Sequence, residues 1–247
     1  MEPIQVQDIE RPSKDLVEAL SHIGSATASG ELFKLGIRDA QILGPLPRTP
    51  GKSICGPALT LQFMPKREDL HSSGEYQGPD RQLHRHALYN TQEGDVMVVD
   101  ARSNMSSGIF GEMMLTYFCG QGGQAVIIDG CIRDFPHAQE LDLGMWLLGT
   151  TPNFHVQNDI FPFGVNVPIA CGGTLVMPSD IIIADDDGAV VVPIKLAPEL
   201  AEKGGEHAEW EVFSRQRLAE GGDLRKYYPL TDEARVEYEA WKKEQEG

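Results

Sequence analysis

The stretch Gly120-Gln121-Gly122-Gly123-Gln124-Ala125-Val126-Ile127-Ile128-Asp129-Gly130-Cys131-Ile132-Arg133-Asp134 decides how the rest of the chain is read. Ala125 to Ile128 is a continuous apolar, mostly β-branched run, the pattern of a strand covered on both faces. Asp129-Gly130 is a turn signal and predicts the end of that strand. Arg133 and Asp134 follow, a cation and an anion side by side. The end of a buried strand can hold polar groups stiffly over a crevice. The Asp134 carboxylate suits a hard cation such as Mg²⁺, with waters completing the shell. The planar fork of Arg133 suits an anionic substrate. From the pair alone, a surface ion pair at a strand end is the simpler reading.

Upstream, Gly94-Asp95-Val96-Met97-Val98-Val99-Asp100 reads as a turn and a second buried strand. A Ser- and Gly-rich loop, Ala101 to Phe110, leads to a short helix predicted over Gly111 to Phe118, with Gly111 at its start. A helix N-terminus offers unpaired N–H groups and a partial positive charge, so it receives a carboxylate or phosphate well. If the two strands are neighbours, that helix start shares one end of the sheet with Arg133 and Asp134. An anion pocket beside a metal follows.

These residues resemble the RraA-like family, which includes the class II 4-hydroxy-4-methyl-2-oxoglutarate aldolases. The resemblance rests on Glu112 within Gly111-Glu112-Met113-Met114, the gap Met113 to Ile132, and Arg133-Asp134. It extends to Ser25–Phe63 and Asn166–Pro193, and covers roughly residues 20 to 220. The resemblance implies an α/β fold with a layered β/β/α core like the phosphohistidine swivelling domain, flanked by N- and C-terminal helices. The chain then divides into an arm and helix (1–24), a catalytic domain (25–220) and a helical extension (221–247). The implied activity is divalent-metal-dependent cleavage of a 4-hydroxy-2-oxo acid to pyruvate and a second carbonyl compound, with oxaloacetate decarboxylation allowed by the same chemistry. Asp134 would hold Mg²⁺ or Mn²⁺. The backbone of Gly111, Glu112, Met113 and Met114 would receive the substrate carboxylate. Arg133 would stabilise the enolate charge, and Glu112 would orient the water that reprotonates it. The implied assembly is a homotrimer, or a hexamer of trimers, with Glu211 the candidate to approach a neighbouring subunit's site. Other members are non-catalytic regulators of ribonuclease, and a lyase for a sugar-acid-like substrate is a further alternative.

Composition sets bounds. The 247 residues can bury a sizeable core. The formal net charge of −16 argues against nucleic-acid binding, which needs a basic footprint. Cys55, Cys119, Cys131 and Cys171 are widely spaced and form no CxxC pair, so they read as reduced thiols of a cytoplasmic protein. No apolar run approaches the ~20 residues of a membrane span.

Elsewhere, residues 1–12 read as a loose arm. Ser13 caps a helix over Lys14–His22, and a second helix runs from Thr27 to Leu35, closed by Gly36. In the family an acid follows the serine of this second helix; here Gly30 stands between Ser29 and Glu31. Gly51-Lys52-Ser53 is no phosphate loop, because the first glycine of that motif falls at Leu46 and a strand, Ala58–Met64, follows. Gly120-Gln121-Gly122-Gly123 is no dinucleotide loop, because it follows a helix and precedes a strand. Pro65–Arg81 is a flap or insertion. His84, His86 and His155 read as solvated. A helix over Pro136–Leu141 and a strand over Met145–Leu148 are followed by a loop to Phe163 and strands at Val165–Ile169, Thr174–Met177, Ile181–Ala184 and Ala189–Val192. Asp185-Asp186-Asp187-Gly188 reads as a hairpin turn and not a metal site. A long helix over Pro198–Glu220 and a polar one over Thr231–Glu244 complete the chain, the latter docking Tyr238 and Trp241 on the body or on another subunit.

Overall fold

The computed structural model describes residues 4–69, 78–154 and 159–245. Four parallel strands form its centre: β3 (Ile54–Pro65), β4 (Val96–Gly108), β5 (Ala125–Ile132) and β6 (Gly144–Thr150). The side chains of β4 to β6 alternate between two cores, as a strand's period of two requires. Met97, Val99, Val126, Ile128, Met145 and Leu147 pack against helices α3 (Leu83–Tyr89), α4 (Glu112–Gly120) and α5 (Phe135–Ala138). Val96, Val98, Ala125, Ile127 and Trp146 face the other way. There they meet Ile182 and Ala184 of β10 (Ile181–Asp185) and Ala189 and Val191 of β11 (Gly188–Val192). The opposite face of β10 and β11, with Ile181, Ile183, Val190 and Val192, is covered by α1 (Lys14–Ser21), α2 (Ser25–Lys34) and α6 (Ala197–Ala219). The layers therefore run helix, sheet, sheet, helix.

β3 joins the two sheet layers. Its first residues pair antiparallel with β10 (Cys55 opposite Ile183), and the next pair parallel with β4 (Thr60 opposite Val98). This double duty makes it longer than the expected Ala58–Met64. Short strands β1 (Gln41–Ile42), β2 (Leu46–Pro47) and β7 (Ile160–Val165) pair with β11, β6 and β3. A separate hairpin of β8 (Ile169–Cys171) and β9 (Thr174–Val176) packs on the inter-sheet core. The strand expected over Val165–Ile169 is thus split, with Asn166 at φ 52° between β7 and β8.

Several expectations are corrected. The N-terminal arm is not loose over residues 4–12. Ile9 is buried in the core, and Arg11 donates from Nε and Nη2 to the Asp95 carboxylate at 2.9 and 2.8 Å. Helix α2 starts at Ser25, two residues early, because Asp185 accepts from both the Ser25 N–H (2.8 Å) and its hydroxyl (2.6 Å). α6 is one helix through Gly204-Gly205, as expected, and Gly204 makes room for Ile23, whose Cδ1 would lie 2.7 Å from a Cβ there. The last helices, α7 (Leu224–Tyr227) and α8 (Asp232–Gln245), dock on α6 of the same chain. Phe213, Leu230, Ala234, Tyr238 and Trp241 form that small core. No helix among the described residues is long and apolar enough to cross a membrane.

Candidate active site

β5 does not end at Asp129-Gly130. It runs to Ile132, because the departing end of β4 lies so close that a Cβ at Gly130 would sit 2.7 Å from the Ala101 Cβ. The loop expected over 101–110 is likewise largely strand, with its register to β5 broken between Val99 and Asn104. It is zipped to β5 by Ile109 N–H to Cys131 O (2.9 Å) and Arg133 N–H to Phe110 O (3.0 Å). That pairing brings the start of α4 directly alongside Arg133 and Asp134.

The loop is held by two carboxylates that the sequence reading did not assign. Arg102 and Ser103 both have positive φ (56° and 54°), which costs free energy in non-glycine residues. Asp100 accepts from the Arg102 N–H at 3.1 Å, and Ser103 donates its hydroxyl to Asp129 at 2.8 Å. Both acids are buried. Burial pushes the Asp100 carboxyl above its ordinary value, opposed by N–H groups of Arg102 and Ala170 and reinforced by the charge of Asp129. Asn104 then accepts from Ser106 and Ser107 N–H groups, each at 3.0 Å. An acid at the end of each of two adjacent buried strands was the available signal. Followed by Gly130, Asp129 carries the composition of a turn, which hides this role in the sequence.

Arg133 and Asp134 share the end of β5. Asp134 has left-handed backbone geometry (φ 58°, ψ 27°) and turns the chain into α5, its carbonyl accepting from His137 and Ala138 N–H groups at 3.0 Å. Its carboxylate lies 3.6 Å from Arg133 Nε, too long for a good hydrogen bond. The side chains are 41% and 45% exposed, so both groups are open to a ligand and their ion pair adds little stability. Gly111 caps α4 in an extended conformation with no side-chain cap. Met114 and Leu115 donate back to the Gly111 carbonyl at 3.0 and 3.2 Å. The Met114 N–H is therefore spent inside the helix, and Glu112 and Met113 supply the forward-facing amides. Met113 is exposed, whereas Met114 packs on the core. Glu112 accepts from the Thr116 hydroxyl at 3.2 Å, which steadies one carboxylate oxygen.

Among the described residues, no three His, Cys, Asp or Glu side chains converge as a metal site. Asp134 offers a lone carboxylate there, so a cation on it would have to keep most of its own water, as a hard cation does and a zinc-type cage does not. The acidic turn is accounted for without metal: Asp185 caps α2, and Asp186 accepts from the Gly51 N–H at 2.9 Å. Glu211 lies on α6 beside His207, with 3.2 Å between Oε1 and Nε2, while the His207 Nδ1 meets Glu31 at 2.5 Å. His84 is buried against Phe110 and not solvated. The His86 ring meets the Asp80 carbonyl at 2.8 Å. His155, and 70–77 of the expected flap, lie outside the described residues. All four cysteines are unpaired thiols, and burial pushes Cys131 to about 11 and Cys55 to about 12.

Comparison with known proteins identifies the family. The family model described as RraA-like, Aldolase/RraA, matches residues 14–191. A protein of Halalkalibacterium halodurans, provisionally named a 4-hydroxy-4-methyl-2-oxoglutarate aldolase, is 31% identical over 147 residues. That match covers 60% of this chain and 63% of the relative, so the chain spans under two thirds of that protein's length. Arabidopsis thaliana aldolase 3, provisionally named for the same substrate, is 27% identical over 69% of this chain and 93% of its own. Among solved structures, Streptomyces coelicolor RraAS2, described as an unusual member of the RNase ES inhibitor RraA family, superposes with a TM-score of 0.76. It is 42% identical over 84% of this chain and 100% of its own.

Proposed function

The chain belongs to the RraA-like family, and from that premise we propose that it is a metal-dependent carbon–carbon lyase acting on a 4-hydroxy-2-oxo acid. The observation that carries this reading is the meeting of Glu112, Arg133, Asp134 and the start of α4 at one end of the sheet. A divalent cation at Asp134, Mg²⁺ or Mn²⁺, would supply Lewis-acid polarisation of the substrate's keto and carboxylate oxygens. The amides of Glu112 and Met113 receive the carboxylate. A base acting through a water takes the 4-hydroxyl proton, and cleavage of the C3–C4 bond releases the second carbonyl compound. The bonding pair moves onto the keto oxygen of the pyruvate half, where the Arg133 fork faces the developing charge. Glu112 orients the water that returns a proton to the methylene carbon, giving pyruvate. Loss of CO₂ from oxaloacetate would leave the same enolate.

The decisive experiment is a screen of 4-hydroxy-2-oxo acids and oxaloacetate with Mg²⁺ or Mn²⁺, reading pyruvate through lactate dehydrogenase. Absence of pyruvate from every substrate would overturn the reading. A second reading, a non-catalytic regulator that binds a ribonuclease, is favoured by the 42% identity to RraAS2. In that case the screen is silent and the protein inhibits a ribonuclease of the E/ES type in a purified cleavage assay.

A further inference from the structure

Gly108 and Gly111 are glycines that the backbone does not require. Gly111 has φ −107°, and neither residue is among the positive-φ glycines. Any residue adopts such a backbone, so the reason for glycine lies in the space around it. A Cβ at Gly111 would lie 2.8 Å from Asp134 Oδ2, 2.9 Å from Arg133 Nε and 3.3 Å from Arg133 Nη2. A Cβ at Gly108 would lie 2.9 Å from Arg133 Cβ, 3.0 Å from Arg133 N and 2.8 Å from the Asn153 carbonyl oxygen. The two glycines therefore grip Arg133 from both ends, Gly108 at its backbone and Gly111 at its guanidinium. Gly111 also carries the Asp134 carboxylate on the same bare Cα.

We propose that Gly108 and Gly111 are positioning residues: their missing side chains are the seat in which Arg133 and Asp134 are set side by side. The proposal rests on the reading of these two residues as the reactive pair and adds what fixes their placement. At Gly111 the obstructing atoms are side-chain ends, so an alanine is accommodated by driving the guanidinium and the carboxylate off the helix start. At Gly108 two of the three are backbone atoms, so an alanine must move β4 against β5 or the 153 segment. Gly111 is thus the cleaner position to test. Gly120, the last residue of α4, has nothing within 4 Å of its own added Cβ and is the control on the same helix.

The test compares Gly111→Ala, Gly120→Ala and Gly111→Ala in an Arg133→Ala background. Thermal unfolding, Mn²⁺ binding by electron paramagnetic resonance and pyruvate methyl-proton exchange are measured for each. Gly111→Ala should unfold near the wild-type temperature, bind Mn²⁺ about ten-fold or more weakly, and lose exchange by about 10²-fold. Gly120→Ala should match wild type in all three. In the Arg133→Ala background the added alanine has only the Asp134 carboxylate left to displace, so it should cost less exchange than it does in the wild type. Wild-type Mn²⁺ affinity and exchange in Gly111→Ala, or full additivity with Arg133→Ala, would overturn the proposal. If Gly111→Ala does not fold, adding Arg133→Ala and Asp134→Ala should restore folding; failure to restore it overturns the proposal equally. If the wild type neither exchanges pyruvate protons nor binds Mn²⁺, the lyase reading fails by itself. A crystal structure of Gly111→Ala then decides for the glycine alone: the Arg133 Nε to Asp134 Oδ2 separation moves from 3.6 Å, or it stays and the seat is refuted.

Discussion

Replacing Arg11 by alanine should destabilise the protein far more than an N-terminal position suggests. The Asp95 side chain is fully buried and accepts three hydrogen bonds: two from Arg11, at 2.9 and 2.8 Å, and one from the Gln92 N–H at 2.8 Å. Arg11 Nη2 also reaches the Asn90 carbonyl at 2.8 Å. The alanine leaves a buried carboxylate with one donor in place of three. Breaking such a pair from one side costs about 3–5 kcal/mol. In a chain of this size each kcal/mol is worth about 2–4 °C, so the melting temperature should fall on the order of 10 °C. Arg11→Lys keeps the charge and loses the two-pronged geometry, and should fall between. Adding Asp95→Asn to Arg11→Ala removes the unpaired charge and should recover part of the loss. Urea midpoints and melting curves measure each step. If Arg11→Ala cost under about 1 kcal/mol, the value of a surface pair, Asp95 would have to be reached by water and the N-terminal arm would contribute nothing through it.

Other outcomes follow from the site and its surroundings. Arg133→Ala should lower kcat about 10²-fold or more and lower pyruvate proton exchange in parallel, with Arg133→Lys clearly impaired. A rise in KM alone would make Arg133 a binding residue only. Thorough chelation should abolish turnover, and Mg²⁺ or Mn²⁺ should restore it; full activity after chelation removes the metal from the mechanism. Burial alone would push the Glu31 carboxyl up, but hydrogen bonds from Lys34 and His207 outweigh it and hold the carboxyl below its ordinary value. The stability this lends is fully present above the ordinary glutamate value of 4.5 and is lost as pH falls through the lowered folded value. Glu31→Gln should therefore shift the urea midpoint down at pH 7 and much less at pH 3; equal shifts at both would refute the linkage. Sedimentation should give a closed oligomer, a trimer or hexamer, and a 27.2 kDa species at micromolar concentration would contradict that.

The buried strands were legible because their signal is local. Val96 to Val99 and Ala125 to Ile128 are apolar on both faces, and both faces are covered. Their ends were not legible. Asp129-Gly130 has the composition of a turn, yet Gly130 is there to let Ala101 approach and Asp129 to hold Ser103. Both reasons come from a neighbour some thirty positions away in the chain. The same holds for α2, whose start is set by Asp185, and for α6, where Gly204 makes room for Ile23 and does not break the helix. Glu112, Arg133 and Asp134 were visible as a spaced motif. That two glycines frame Arg133 was not, because a glycine chosen for space looks in sequence like one chosen for a turn.

β3 divides its pairing between the two sheets, giving Ile54 to Pro57 to one and Ala58 to Gln62 to the other. The chain crosses from layer to layer inside a single hydrogen-bonded strand, with no linker at which one layer could come loose alone. Opening either sheet at β3 frees backbone groups that the other needs for its register. The amides of β3 should therefore exchange with deuterium only through global unfolding, at one common free energy on both sides of Pro57. A polypeptide cut within β3 should fail as two fragments and recover only when both are mixed, whereas a cut in the turn at Gly221-Gly222 should leave both sheets standing.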